Sequence, residues 1–150
     1  MDDVSVRVAT RADVDAVLPM MVDFNRIEGI AWTSDSGRAP LERLVADASL
    51  GFVAMIERAG VLVGYAVVTF GYDLEWGGRD AFLTELFLVE DARGKRVGAF
   101  ALVHVERIAR ANDVNALHLM VRHENTHARA LYTRAGYVVP ERVFMTKRFG

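Results

Sequence analysis

Residues 85–99 read ELFLVEDARGKRVGA and join an apolar, strand-like run to the start of a helical pattern. The turn between the two elements, from Arg93 to Gly98, is rich in glycine and in basic side chains. Where a strand leads into a helix in this way, free backbone N–H groups and the positive end of the helix dipole point at one spot. We therefore predict that this turn binds an anionic group such as a phosphate.

A second patterned segment, residues 125–137, reads NTHARALYTRAGY. Asn125 is a favourable helix cap and Gly136 a favourable helix end, so the segment predicts a short helix. An apolar stripe on that helix would include Ala128, Leu131 and Tyr132. The stripe alone is compatible with an ordinary core role for Tyr132.

The two segments resemble motifs A and B of the GNAT superfamily, the acetyl-CoA-dependent N-acetyltransferases. Motif A, Gln/Arg-x-x-Gly-x-Gly/Ala, is matched by Arg93 and Gly98, while Arg96 stands where the family has its first glycine. Motif B is Asn-x-x-Ala-x-x-x-Tyr followed by a Gly-aromatic pair; it is matched by Asn125, Ala128, Tyr132, Gly136 and Tyr137. Glycine serves where φ is positive or a ligand approaches the backbone closely, so Arg96 bears on the affinity for the ligand.

The resemblance implies that acetyl-CoA is the cosubstrate and that motif A holds its pyrophosphate. It also implies that the backbone of the strand 86–88 pairs with the pantetheine amides, much as an added strand would. The cofactor-binding residues expected on this basis are Leu86, Phe87, Leu88, Arg93, Gly94, Lys95, Arg96, Val97, Gly98, Ala99, Asn125 and Tyr132.

Two side chains are the candidate catalytic residues. In the family, the tyrosine that matches Tyr132 donates a proton to the departing coenzyme A thiolate. Glu85 is our candidate for the base that deprotonates the amine, because alternation groups it with Leu83 and Phe87 and burial would raise its pKa. A water chain could do the same work, and a structural pair between Glu85 and an arginine is the alternative role for this carboxylate.

Acidic and aromatic side chains in two loop segments would suit a cationic amine through charge and cation–π contact. The candidates for substrate binding are Glu28, Trp32, Asp35, Asp73, Glu75 and Trp76. Residues 73–79 also resemble a segment of the diamine-acetyltransferase branch of the family. The expected reaction is direct attack of a small-molecule primary amine on the thioester. A coenzyme A sensor without turnover and an enzyme acting on a protein amine are the alternatives.

Length and composition narrow the possible classes of protein and of partner further. A chain of 150 residues with 52% hydrophobic and 25% charged residues predicts one globular GNAT domain over residues 1–150. A net charge of −2 argues against a nucleic-acid partner. The chain has no cysteine, no signal-like N-terminus and no long apolar run, which predicts a cytoplasmic protein without a membrane partner.

No metal is expected, because His123 should precede the helix that contains His127. Members of the family often dimerise, so a homodimer is one expectation.

The fold class predicted is α/β, in detail an α+β GNAT fold. We expect a central mixed, mostly antiparallel sheet of six to seven strands, flanked by about four helices, with the fourth and fifth strands parallel. Pro40–Ser49 is predicted as the second helix, and residues 71–79 as an insertion before the fourth strand. Tyr137–Val139 and Val143–Phe149 are predicted as the closing strands.

Overall fold

The computed structural model describes residues 3–150. Contacts divide the chain into a first unit that extends to Met120 and a second unit, Val121–Gly150. Within residues 3–150, the first unit contains the sheet and three α-helices, and the second contains one α-helix.

In the part of the first unit that the structure describes, the sheet has five strands in the order β1-β2-β3-β4-β5. Its members are β1 (Val4–Val8), β2 (Gly51–Arg58), β3 (Val61–Asp73), β4 (Gly78–Leu88) and β5 (Ala116–Leu119). Neighbouring strands are antiparallel except β4 and β5, which are parallel. The mixed sheet with its parallel pair is as predicted, but the prediction of six to seven strands is wrong.

The α-helices of the described residues are α1 (Val14–Glu28), α2 (Ser34–Ala46), α3 (Val97–Ala111) and α4 (Thr126–Arg134). A short 3-10 turn precedes α1, where the backbone N–H of Thr10 donates to Asp13 at 2.8 Å. Arg7 also holds Asp13 and lowers the pKa of this carboxyl to about 2. The acidic residue three positions after Thr10 therefore marks the helix start, as the capping pattern indicates.

The second helix begins earlier than the sequence predicts. Thr33 caps it, because its hydroxyl accepts from the backbone N–H of Ser36 at 3.1 Å and the Ser36 hydroxyl reaches back to Thr33. Our prediction started this helix at Pro40, on the rule that proline favours a first helical position. Pro40 instead lies inside α2, and the reciprocal cap at Thr33 sets the boundary.

The two faces of the sheet carry separate apolar clusters. One face packs against α1 and α2 and includes Met55, Tyr65, Val67 and Phe87; we call it the α1 face. The opposite cluster combines Ile56 with Val97 and Ala101 of α3, and Leu86 and Leu88 pack against it. Along the end of β4, successive side chains therefore alternate between the two faces.

The predicted closing strands are absent. The structure assigns neither helix nor strand to residues 137–150. Val143, Met145 and Phe149, which carry the apolar alternation, are 85%, 86% and 91% exposed. An alternating pattern forms a strand only where its backbone pairs with a neighbour and one face is covered, and within residues 3–150 this segment has no ladder.

Candidate functional site

The turn between β4 and α3 presents backbone N–H groups around a left-handed bend. Gly94 has a φ of +71° and Arg96 a φ of +61°, and α3 begins at Val97. In the part of the chain that the structure describes, residues 3–150, the N–H groups of residues 97–99 have no protein acceptor. No acidic side chain lies in the first turn of α3. This donor set, beside the exposed Lys95 and Arg96, fits a phosphate or pyrophosphate.

Arg96 adopts the conformation that a glycine at this position would supply without strain. A left-handed backbone costs a residue with a Cβ about 1–2 kcal/mol, and glycine escapes this cost. The arginine at the family's glycine position therefore keeps the shape of the turn and adds a positive charge to it.

Arg96→Gly is expected to stabilise the protein relative to Arg96→Ala by about 1 kcal/mol, because both variants lose the charge and only alanine keeps the strained Cβ. Urea unfolding of the two variants measures this difference directly. Equal midpoints would show that the turn tolerates a Cβ at no cost.

Arg93 links this turn to the end of β4. Its Nε donates to the carbonyl oxygen of Leu88 at 2.8 Å, and its guanidinium lies 5.5 Å from the centre of the Phe87 ring. The side chain was expected to bind phosphate, and its terminal nitrogens, which have no acceptor within residues 3–150, keep that role open.

The second half of β4 has an edge that β5 does not cover. The pairing of β4 with β5 ends at Leu83 opposite Leu119, so Thr84–Leu88 run on beyond it. The carbonyl of Leu88 points away from β3 and accepts from Arg93. This edge is where the pantetheine amides are expected to pair with residues 86–88.

A β-bulge at Thr84 turns Glu85 onto the α1 face. Glu85 lies opposite Val67, whereas Leu83 lies opposite Val68, the next residue of β3. Because successive residues of a strand point to opposite faces, Leu83 and Glu85 lie on different faces. The prediction that grouped Glu85 with Leu83 is therefore wrong, while its grouping with Phe87 is confirmed.

Glu85 is held by a tyrosine. The hydroxyl of Tyr65 donates to Glu85 Oε1 at 2.7 Å. Burial raises the pKa of Glu85, and the hydrogen bond from Tyr65 offsets part of that rise. Within residues 3–150 no arginine or lysine pairs with this carboxylate, which removes the structural ion pair as an explanation for it.

Aromatic rings pack against Tyr65, the partner of Glu85. The ring of Tyr65 meets Phe24 of α1 edge-on at 6.5 Å and Phe87 at 5.9 Å. Trp32, between α1 and α2, packs against the same cluster. A carboxylate with a raised pKa among aromatic rings can bind a cationic amine and accept its proton.

Tyr65 is the residue that sequence reasoning missed. Alternation in β3 predicts that Tyr65 points inward with Val67, but not which residue of β4 it meets. The pairing of Tyr65 with Phe87 and of Val67 with Glu85 depends on the register of two strands and on the bulge.

The remaining substrate candidates separate into two groups. Glu28 ends α1, next to the segment that contains Trp32, and Asp35 lies in the first turn of α2. Asp73, Glu75 and Trp76 lie where β3 turns into β4. The predicted insertion over residues 71–79 is wrong in its bounds, because β3 extends to Asp73 and β4 begins at Gly78, with a 3-10 turn between them. Glu85 is seven positions after Gly78, roughly 20 Å along the strand. The structure therefore brings Trp32, and not Trp76, to the aromatic cluster around Glu85.

The turn from β3 to β4 has its own polar contacts. Asp73 accepts from the N–H of Glu75 at 2.9 Å, and the Trp76 ring lies 5.5 Å from His118. His118 in turn pairs with the buried Asp80 at 3.0 Å. These contacts order the turn.

In the second unit, the side chain of Asn125 caps α4 by accepting from the N–H of Ala128 at 3.1 Å. Tyr132 is half-buried, and its ring meets Tyr137 edge-on at 5.8 Å. The N–H of Tyr137 donates to the carbonyl of Tyr132 at 3.0 Å. The helix with its asparagine start is therefore formed as the motif predicts.

Among residues 3–150, no three histidine, cysteine or acidic side chains come together as metal ligands would, and His123 precedes α4. Over the same described range, every helix is too short or too polar to span a bilayer.

One family model matches the chain. The sequence model described as the Acetyltransferase (GNAT) family matches residues 18–137. No curated protein matches the chain.

Among solved structures, the integron cassette protein HFX_CASS3 from the mobile metagenome of Cole Harbour Salt Marsh is 29% identical. It has a TM-score of 0.85, with 97% of this chain and 90% of that one covered.

Two further structures share the fold at 16% identity. The aminoglycoside N-acetyltransferase AAC(6')-Iy, solved in complex with CoA, has a TM-score of 0.83 over 97% of this chain and 94% of that one. The ribosomal-protein-alanine N-acetyltransferase of Brucella melitensis biovar Abortus 2308 has a TM-score of 0.77 over 97% and 99%.

Proposed function

Because the chain belongs to the GNAT acetyltransferase family, we propose that it transfers the acetyl group of acetyl-CoA to a primary amine of a small molecule. The observation that carries this proposal is the position of Glu85, a carboxylate with a raised pKa on the strand that leads to the anion-binding turn. The family match spans the division at Met120, so we propose one functional domain over the whole chain.

Acetyl-CoA supplies the activated thioester. The N–H groups at the start of α3, together with Arg93, Lys95 and Arg96, would hold its pyrophosphate. The open edge of residues 86–88 would pair with the pantetheine, and an N–H of that edge near Leu88 would stabilise the oxyanion. The family resemblance adds Asn125 and Tyr132 to the residues proposed to bind the cofactor.

Glu85 acts as the base in the proposed reaction. An alkylammonium has a pKa near 10.4, so the amine must lose a proton before its lone pair attacks the thioester carbonyl. A carboxyl whose pKa lies above its usual range accepts that proton more readily at neutral pH than an exposed one. The C–S bond of the thioester breaks after the C–N bond has formed, and Tyr132 donates its proton to the thiolate that leaves. The second proton of the attacking nitrogen restores the tyrosine hydroxyl, and Glu85 releases the first proton to solvent. The products are the amide and coenzyme A.

The acceptor is proposed to be a small amine because aromatic side chains pack around Tyr65, the hydrogen-bond partner of the Glu85 carboxylate. Trp32 and Phe24 pack over the α1 face, which suits a pocket better than an open groove. The 73–79 segment supports diamines as one group of acceptors, through its resemblance to that branch. A cytoplasmic location and a homodimer are further parts of the proposal and rest on the family resemblance and the absence of cysteine.

Release of free thiol from acetyl-CoA tests the proposal against a panel of amines. The panel contains diamines and polyamines, amino acids, aminoglycosides and a peptide with an N-terminal alanine. We expect turnover with one class of small amines and none with the peptide. Turnover with the peptide alone would assign a protein substrate. Acetyl-CoA binding without turnover on any acceptor would favour the sensor.

A further inference from the structure

We infer that Tyr65 is a positioning residue for Glu85, whose hydroxyl fixes one oxygen of the carboxylate so that the other oxygen faces the acceptor amine. This inference rests on the proposed function, since it assigns Tyr65 a part in the same proton transfer. It adds a residue that neither family motif contains.

One carboxylate oxygen of Glu85 is hydrogen-bonded to Tyr65, and the other oxygen is available to a substrate. Tyr65 donates to Glu85 Oε1 at 2.7 Å, a short hydrogen bond of the kind that a charged acceptor forms. In the described part of the chain, from residue 3 onward, Tyr65 is the side chain that bonds to this carboxylate. The Oε2 atom therefore remains to accept a proton from an amine.

The tyrosine itself cannot move easily. Its side chain is 0% exposed, and its ring is held between Phe24 and Phe87. The strand register places it diagonally opposite Glu85, and the bulge at Thr84 fixes which face Glu85 occupies. A donor held this firmly restricts the rotamers of the acceptor, which is how a supporting residue prepares a catalytic group.

Tyr65 remains a donor throughout the working pH range. Burial raises the pKa of its phenol, and the nearby Glu85 raises it further. From β3 it is the ionisable group that faces Glu85. The turn after β4 brings Arg93 over the Phe87 ring, and α1 contributes Phe24 and the buried amide of Asn25. The charged groups of α1 that flank these two residues are Asp23 and Arg26, which pair with each other at 3.3 Å, and Glu28 at the helix end.

Tyr65→Phe keeps the ring and removes the hydroxyl. Because the lost hydrogen bond holds down the pKa of Glu85, the acid limb of the kcat/KM profile should move to higher pH. On the acid side of that new limb we expect kcat/KM to fall by roughly tenfold or more. The matched control is Tyr72→Phe, which removes a hydroxyl from a residue that is 77% exposed on the same strand.

An NMR titration that follows the side-chain carboxyl carbon of Glu85 in the full-length protein measures the change in its pKa without turnover. Its midpoint should rise in Tyr65→Phe and stay unchanged in Tyr72→Phe. 3-Fluorotyrosine at position 65, a more acidic donor, should lower the midpoint and move the acid limb to lower pH. This second variant keeps the ring and decides the question if Tyr65→Phe does not fold.

The two proposals fail in different ways. If the wild-type protein turns over while both replacements at position 65 leave the acid limb and the Glu85 titration unchanged, Tyr65 is only structural and the inference is overturned. A variant whose melting temperature falls while the acid limb and the Glu85 titration stay unchanged also overturns the inference. If the wild-type protein shows no turnover with any amine, the proposed function fails, and the Glu85 titration in the variants still decides the role of Tyr65.

Discussion

Glu85→Gln is expected to lower kcat/KM by ~10²–10⁴-fold and to remove the acid limb of its pH profile. Glutamine keeps the size of the side chain and an oxygen that can accept from Tyr65, but it cannot take a proton from the amine. Steady-state kinetics over a range of pH with the best amine measure both effects. The affinity for acetyl-CoA should change little, because binding of the pyrophosphate is assigned to the turn after β4.

The stability of this variant provides the control for misfolding. The folded-state pKa of Glu85 is raised, so ionisation of this carboxyl opposes folding once the pH exceeds its ordinary value. Removing the charge should therefore raise the melting temperature of Glu85→Gln near neutral pH, with a smaller effect near pH ~4. A stable variant that retains wild-type kcat/KM and its acid limb would rule out Glu85 as the base.

Tyr132→Phe is expected to lower kcat by at least ~10²-fold while the Kd for acetyl-CoA stays nearly constant. The hydroxyl is proposed to protonate the leaving thiolate, a step that phenylalanine cannot perform. Because the ring is retained, its contact with Tyr137 should persist. Turnover kinetics and calorimetric titration of the variant separate the chemical step from binding.

Tyr137→Phe is the matched control, since it removes a hydroxyl from the ring that contacts Tyr132. We expect its kcat to remain within a few-fold of wild type. Equal kcat values for Tyr132→Phe and the wild-type protein would show that Tyr132 has no catalytic role. Its role would then be to pack as part of the apolar stripe of α4.

Local patterns in the sequence predict the elements whose signals are local. The alternation of Val4, Val6 and Val8 gives β1, and the acidic residue after Thr10 marks the start of the first helical segment. Asn125 likewise caps α4 where motif B begins. These features depend on neighbours within a few residues, which is the range that propensity and capping rules cover.

The failures have non-local or competing causes. The alternation at residues 143–149 is genuine, yet a strand needs a partner, and the structure gives this segment none within residues 3–150. The second helix begins at the Thr33 cap, a signal that competed with the proline rule at Pro40. The bulge at Thr84 separates Glu85 from Leu83, and the sequence contains no feature that locates it.

The candidate site also combines residues that local sequence patterns identify with residues that only the fold brings together. The turn from Arg93 to Gly98 and the carboxylate of Glu85 could be named from the sequence because a motif and a strand pattern point to them. Tyr65 could not be named, since its contact with Glu85 depends on the register between β3 and β4. Trp32 and Trp76 had equal support in the sequence, and only the fold shows which of them packs with the aromatic cluster.

Calorimetric titration of the wild-type protein with acetyl-CoA tests the central claim most directly. The account predicts saturable binding with one cosubstrate per chain, and a gain of about 2.7 kcal/mol in the free energy of unfolding at a ligand concentration of 100 times Kd. No heat of binding together with an unchanged melting temperature would contradict it, since both the turn after β4 and the base on β4 are assigned to acetyl-CoA chemistry.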